Sequence, residues 1–135
     1  DSQLAQSCYE AALSVAPDLI VMVLAATAQE DAVRHLGCLW AGEIFADRAY
    51  NDDATLVDRS LPGAVIHDPE VAGTRMVEMV KAGAIITASG KHIKTNVDTI
   101  CLHGDTPTAV QIARSVRSAL EAAGASVQQF DGRQS

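Results

Sequence analysis

Apolar positions along this chain change their period several times, and each change predicts an element. Leu4, Cys8, Ala11 or Ala12, and Val15 recur at helical spacing, and Pro17-Asp18 ends that helix. Leu19-Ile-Val-Met-Val-Leu24 is a continuous apolar run between turn signals, the pattern of a strand buried on both faces. Thr27 then stands as an N-cap with Glu30 three residues on, a capping-box spacing, and the helix it opens stops at Gly37. Residues 38–45 predict a second strand, leading into Ala46-Asp47-Arg48-Ala49-Tyr50. Residues 51–63 are polar and turn-rich, the longest irregular stretch, and loops of that length are usually functional or disordered. Beyond the short apolar step Ala64-Val65-Ile66, Asp68-Pro69-Glu70 opens a helix with cap, first-turn proline and first-turn acid in their preferred places. Val71, Met76, Val77 and Val80 predict its buried stripe, and Gly83 its end. Residues 84–87 and 92–96 flank Ser89-Gly90 as a hairpin.

The last pair of elements organises the rest. Residues 99–102 are short, apolar and β-branched, a buried strand by pattern. Pro107 suits the first position of a helix, with Thr106 before it as cap, and apolar residues then recur at Ala109, Ala113, Val116, Leu120 and Ala123 up to Gly124. His103, Gly104 and Asp105 therefore occupy a tight strand-to-helix loop, at the end of the sheet where ligands bind in α/β folds. Helix and strand alternate with one hairpin inserted, which favours α/β architecture with parallel strands. One domain over residues 1–124, followed by a polar tail at 125–135, accounts for the whole pattern.

Composition narrows the functional classes. The 135 residues suffice for one core, and 48% hydrophobic with 20% charged content is ordinary for a soluble domain. A formal charge of −7 argues against nucleic acid or an anionic membrane surface as the main partner. No apolar run approaches the roughly 20 residues of a membrane span. Three widely spaced cysteines, Cys8, Cys38 and Cys101, suit a reducing cytoplasm better than a disulfide scaffold. The chain opens on Asp1 with neither a signal peptide nor an initiator Met, which suggests a processed chain or a piece of a longer one.

Several residues carry candidate chemistry. His103 has the pKa range for proton transfer, although a loop histidine bonded to backbone is the plain alternative. Asp105 can orient His103, bind a cation, or cap the helix after it. Arg48 follows a strand directly and can grip a carboxylate or phosphate with both ends of its guanidinium; an ion pair with Asp47 competes. Arg59 precedes Ser60-Leu61-Pro62-Gly63 and is the weaker of the two arginines. His67-Asp68-Pro69 reads better as the start of a helix, and Cys101 as a packed thiol rather than a nucleophile. No zinc-ligand spacing and no Gly-x-x-x-x-Gly-Lys phosphate loop occurs. A divalent metal shared by His103, Asp105 and a third ligand stays open.

Three blocks in register carry a resemblance: Ile44-Phe-Ala-Asp-Arg-Ala-Tyr50, Arg59-Ser-Leu-Pro-Gly-Ala-Val-Ile-His-Asp-Pro69 and Asp98-Thr-Ile-Cys-Leu-His-Gly-Asp-Thr-Pro107. Together they resemble the LamB/YcsF family, whose members serve as the A component of the bacterial ATP-dependent 5-oxoprolinase. The resemblance implies the C-terminal half of a seven-stranded β/α barrel, since members are roughly twice this length. Their N-terminal acidic and Asn-rich motif and their His-Pro-Gly and Lys-Pro-His-Gly segments have no counterpart here. Leu24-Ala-Ala-Thr27 stands where a Gly-Ser turn is usual, and Ala54 where Gly is customary. The implied reaction is opening of the lactam of 5-oxo-L-proline to L-glutamate, coupled to ATP hydrolysis, with 5-oxoprolinase subunits B and C as partners. His103 and Asp105 would be catalytic, and Arg48, Arg59 and Asp47 would bind substrate. Two other readings remain: a metal-dependent amide or carbohydrate hydrolase of barrel fold, and a non-enzymatic assembly piece that pairs with an N-terminal half or with itself through open sheet edges.

Overall fold

A computed structural model describes residues 1–134. Its elements are α1 (Ser2–Val15), β1 (Val21–Leu24), α2 (Ala28–Leu36), β2 (Trp40–Phe45), α3 (Pro69–Ala82), β3 (Ala84–Ile86), β4 (His92–Lys94), β5 (Thr99–Cys101) and α4 (Ala109–Ala122). The predicted parallel arrangement is present: β1, β2 and β5 form a parallel sheet with β2 in the middle. β3 and β4 make the separate antiparallel hairpin.

Local chemistry explains most element ends. Thr27 caps α2 through Gln29 N–H, and Gly37 closes it in the left-handed region, where a side chain is costly. Glu30 reaches one residue further back than a capping box would, accepting from Ala26 N–H at 2.7 Å. The Asp68 carboxylate accepts from Glu70 and Val71 N–H, so the Asp-Pro-Glu start of α3 forms as expected.

The core lies between one face of the sheet and the helices. Ile44 and Ala46 join Met76 and Met79 of α3 and Ile112, Val116 and Leu120 of α4 in the main cluster. Val23 and Trp40 pack on Val33 of α2. Gly73 lets α3 and α4 approach closely: a Cβ there would lie 2.9 Å from Ser115 Oγ and 3.2 Å from its carbonyl.

Four expectations need correction. β1 is not buried on both faces; it is a sheet edge, with only Val23 buried and Met22 55% exposed. β5 is likewise an edge, and its three residues are half-buried. Met76 of the expected α3 stripe is buried and Val77 and Val80 pack partly buried on the core, but Val71 is exposed and Ala72, Gly73 and Met79 are buried, because α4 approaches over Gly73. α4 starts at Ala109 behind Thr108, which makes no side-chain cap bond; Thr106 and Pro107 form the turn before it, whose Thr106 carbonyl accepts from Ala109 N–H.

Within the described residues, Ala26 (φ 59°) and Ala54 (φ 67°) are the only non-glycine residues at positive φ. They fall on the two segments where the family resemblance leads one to expect glycine. An alanine in that region costs about 1–2 kcal/mol, while glycine's larger unfolded-state entropy costs about 0.5–1 kcal/mol. Ala26→Gly should therefore stabilise the chain by about 0.5–1 kcal/mol, visible as a rise of a few degrees in thermal unfolding. Ala54 is fully buried, so Ala54→Gly also loses a packed methyl worth about 0.8 kcal/mol and should be near neutral. Equal gains at both positions would contradict this account.

Candidate functional site

Strand alternation builds the site. Successive β2 side chains point to opposite faces, so Glu43, Phe45 and the following Asp47 share the face turned away from Ile44 and Ala46. The parallel register sets Thr99 beside Glu43 and Cys101 beside Phe45, and Ala46 N–H donates to the Cys101 carbonyl beyond it. The next step along the same face pairs Asp47 with His103.

His103 Nδ1 lies 2.9 and 2.8 Å from the two carboxylate oxygens of Asp47. A carboxylate only accepts, so Nδ1 is the donor, and in the neutral ring that places the lone pair on Nε2. Asp47 is 4% exposed, whereas the imidazole keeps 26% of its surface open. The Phe45 ring stacks on His103 with centroids 5.3 Å apart and planes 20° apart. A buried carboxylate behind an oriented imidazole is the arrangement that proton transfer requires.

The shell behind the pair is fixed from several directions. The Asp47 carbonyl accepts from Ile66 N–H, and Arg48 bridges Val65 through its backbone. Tyr50 is fully buried; its hydroxyl accepts from Phe45 N–H at 2.8 Å, and burial pushes its pKa up to about 12. Arg75 donates to the Phe45 and Ala46 carbonyls and lies over the Tyr50 ring. The 51–63 stretch is pinned rather than loose: the Asp52 carboxylate accepts from Thr87 and Ser89 hydroxyls of the hairpin turn.

The candidate residues separate into distinct places. The carboxylate that orients His103 is Asp47, not Asp105. Asp105 instead takes a 3.2 Å bond from Arg59 at the exposed rim, and that bond, helped by Arg59 and His103 charge, holds its carboxyl below the ordinary range. Asp105 caps nothing, since α4 begins beyond it. Arg48 neither pairs with Asp47 nor lies open: it is buried, donates to the Val57 carbonyl at 2.7 Å, and its Nε has no partner among the described residues. Burial first, then the Glu43 and Asp47 charges, push the Cys101 thiol up to about 11, in keeping with an unreactive thiol. Glu43, Phe45 and Tyr50 went unnoticed in the sequence, although alternation within the strand was enough to align Glu43 with Asp47. Among the described residues no three His, Cys, Asp or Glu side chains are grouped to hold a metal ion, and no helix is long and apolar enough to cross a membrane.

Comparison with known proteins agrees across sequence and structure. The model of the LamB/YcsF family matches residues 1–135. A Ruegeria pomeroyi protein, named as the A component of 5-oxoprolinase, is 71% identical over 131 residues, covering 97% of this chain and 52% of its own. A Rhodopseudomonas palustris protein of the same name is 50% identical over 98% of this chain and 52% of its own. The crystal structure of a lactam utilization protein from Thermus thermophilus superposes with a TM-score of 0.83 at 37% identity, covering 96% of this chain and 51% of that one. The chain thus spans about half the length of the curated relatives it matches.

Proposed function

Because the chain belongs to the LamB/YcsF family, we propose that it contributes the proton-transfer half of a site that opens 5-oxo-L-proline to L-glutamate at the expense of ATP. The observation that carries the reading is the His103–Asp47 pair, an oriented imidazole at the strand ends. A lactam carbonyl is deactivated by amide resonance, and ATP supplies the driving force by phosphorylating it or its equivalent. Water must then be deprotonated as it attacks. His103 Nε2 takes that proton, and Asp47 holds the ring and steadies the imidazolium. Arg59, exposed at the rim and paired with Asp105, is the cation best placed to bind the substrate carboxylate or a phosphate, with Asp105 holding it until substrate arrives. Arg48 acts from within, tying the loop to the site through Val57.

We propose further that the three parallel strands are one arc of a β/α barrel. Parallel sheets are normally covered on both faces and flanked by further strands, yet here β1 and β5 are both edges and Leu19, Ile20 and Met22 are exposed. Pairing with the remaining half of the barrel, and assembly with subunits B and C, would close these surfaces. The three free thiols fit a cytoplasmic setting.

Glutamate formation from 5-oxoproline and ATP tests this directly. The chain alone is expected to give no turnover. The same chain joined to the remainder of its Ruegeria pomeroyi relative, with subunits B and C present, is expected to be active. Turnover by the chain alone, or a folded but inactive joined protein, would overturn the shared-site reading.

A further inference from the structure

We infer that Glu43 is the acid of this site, delivering a proton to the ring nitrogen as the cyclic amide opens; the inference rests on the lactam-opening reading above. Glu43, Phe45 and Asp47 alternate onto one face of β2, and the register carries that face across to Cys101 and His103. Glu43 and Asp47 are four residues apart on that face, with Phe45 between them. The Glu43 carboxyl lies within electrostatic reach of both the Cys101 thiol, which the register sets beside Phe45, and the His103 imidazole. The His103 ring stacks on Phe45 itself. Glu43 stands opposite Thr99, one level before Phe45 and Cys101, and His103 one level beyond them, so the flat phenyl ring forms an apolar floor between acid and imidazole.

The two ends divide the chemistry. Water oxygen bonds to the carbonyl carbon while its proton goes to His103 Nε2. The carbon–nitrogen bond then breaks, and the electron pair left on nitrogen takes the proton of the Glu43 carboxyl. The proton on His103 returns to Glu43 through solvent, and the phosphoryl group that ATP placed on the carbonyl oxygen remains as an acyl phosphate, which a second water hydrolyses to L-glutamate and inorganic phosphate. An amine anion is too basic to depart unprotonated, which is why the second group is required.

The groups facing Glu43 are Cys101 and His103 across the sheet, with Asp47 and Tyr50 further along its own segment. Burial pushes the Glu43 carboxyl up, partly opposed by Cys101 and by His103. A raised value keeps more of the acid protonated as pH rises. Lactam opening should accordingly fall as pH climbs through that value.

The test uses the joined protein with its partner subunits and two substrates, 5-oxoproline and its thiolactone analogue with sulfur in place of the ring nitrogen. Thiolate leaves without a proton. Glu43→Gln is expected to lower kcat on the lactam about 100-fold, with KM within threefold, to lower thiolactone opening less than threefold, and to abolish the alkaline limb of the lactam profile. Glu43→Asp should restore at least a tenth of the lactam rate. Equal losses on both substrates would make Glu43 structural, and an unchanged lactam rate would remove it; either overturns the inference while leaving the lactam reading intact. An unsubstituted protein that opens the thiolactone but never the lactam would overturn both.

Discussion

Asp47→Asn is expected to lower lactam opening by about 1,000-fold in kcat while leaving KM within threefold. The reason is the tautomer rather than the charge alone. Both Asp47 oxygens face His103 Nδ1, which forces the proton onto that nitrogen and frees Nε2 to accept. An asparagine amide offers a donor at the same place, so Nδ1 can accept and Nε2 then carries the proton, leaving the base unable to take another. Asparagine matches aspartate in shape, and the side chain is nearly sealed from solvent, so packing is preserved. His103→Gln should fall by a similar factor, and the double variant by little more than either, because the two residues act as one unit. Steady-state kinetics with thermal unfolding of each variant checks all three. An Asp47→Asn protein of normal stability and normal kcat would show that His103 is not the base.

How much of this was legible beforehand depends on what each residue answers to. Helix α3 formed as read because Asp68, Pro69 and Gly83 act through their own backbone neighbours, and such local chemistry is written in adjacent letters. The strand-to-helix loop holding His103 was legible for the same reason. Burial of β1 was not, since a continuous apolar run cannot tell a central strand from an edge whose outer surface awaits further chain. Val71 alone was misplaced on the α3 stripe, because Gly73, invisible to a hydrophobic pattern, is where α4 comes closest. The partner of His103 was the hardest to foresee. Asp105 stands two residues away and Asp47 fifty-six, yet the shared register of β2 and β5 decides in favour of the distant one. Pairing across a parallel sheet is a fact about two strands, and neither strand states it alone. The family resemblance supplied what local rules could not, by marking the Asp47-Arg48 and His103-Gly104-Asp105 blocks as parts of one site.

Arg133→Met carries the largest expected loss of stability, about 3 kcal/mol. It lies in the polar tail, which is not a loose end: Arg133 exchanges backbone bonds with Trp40 at the start of β2 and donates from Nε to both Asp98 oxygens at 2.8 and 2.7 Å. Asp98 is the critical partner, 1% exposed at its side chain and already accepting from Gly42 N–H. Removing the guanidinium leaves a carboxylate walled off from water with one backbone donor, and an unpaired buried charge is what makes a broken pair expensive. Asp98→Asn should cost less, about 1–2 kcal/mol, because the Arg133 side chain left behind is 36% exposed and can rehydrate. The double variant should recover more than half of the Arg133→Met loss, since the stranded charge is gone while the backbone bonds to Trp40 remain. Urea unfolding of the three variants measures this, and additive losses in the double variant would show that the tail is held by its backbone bonds and not by the ion pair.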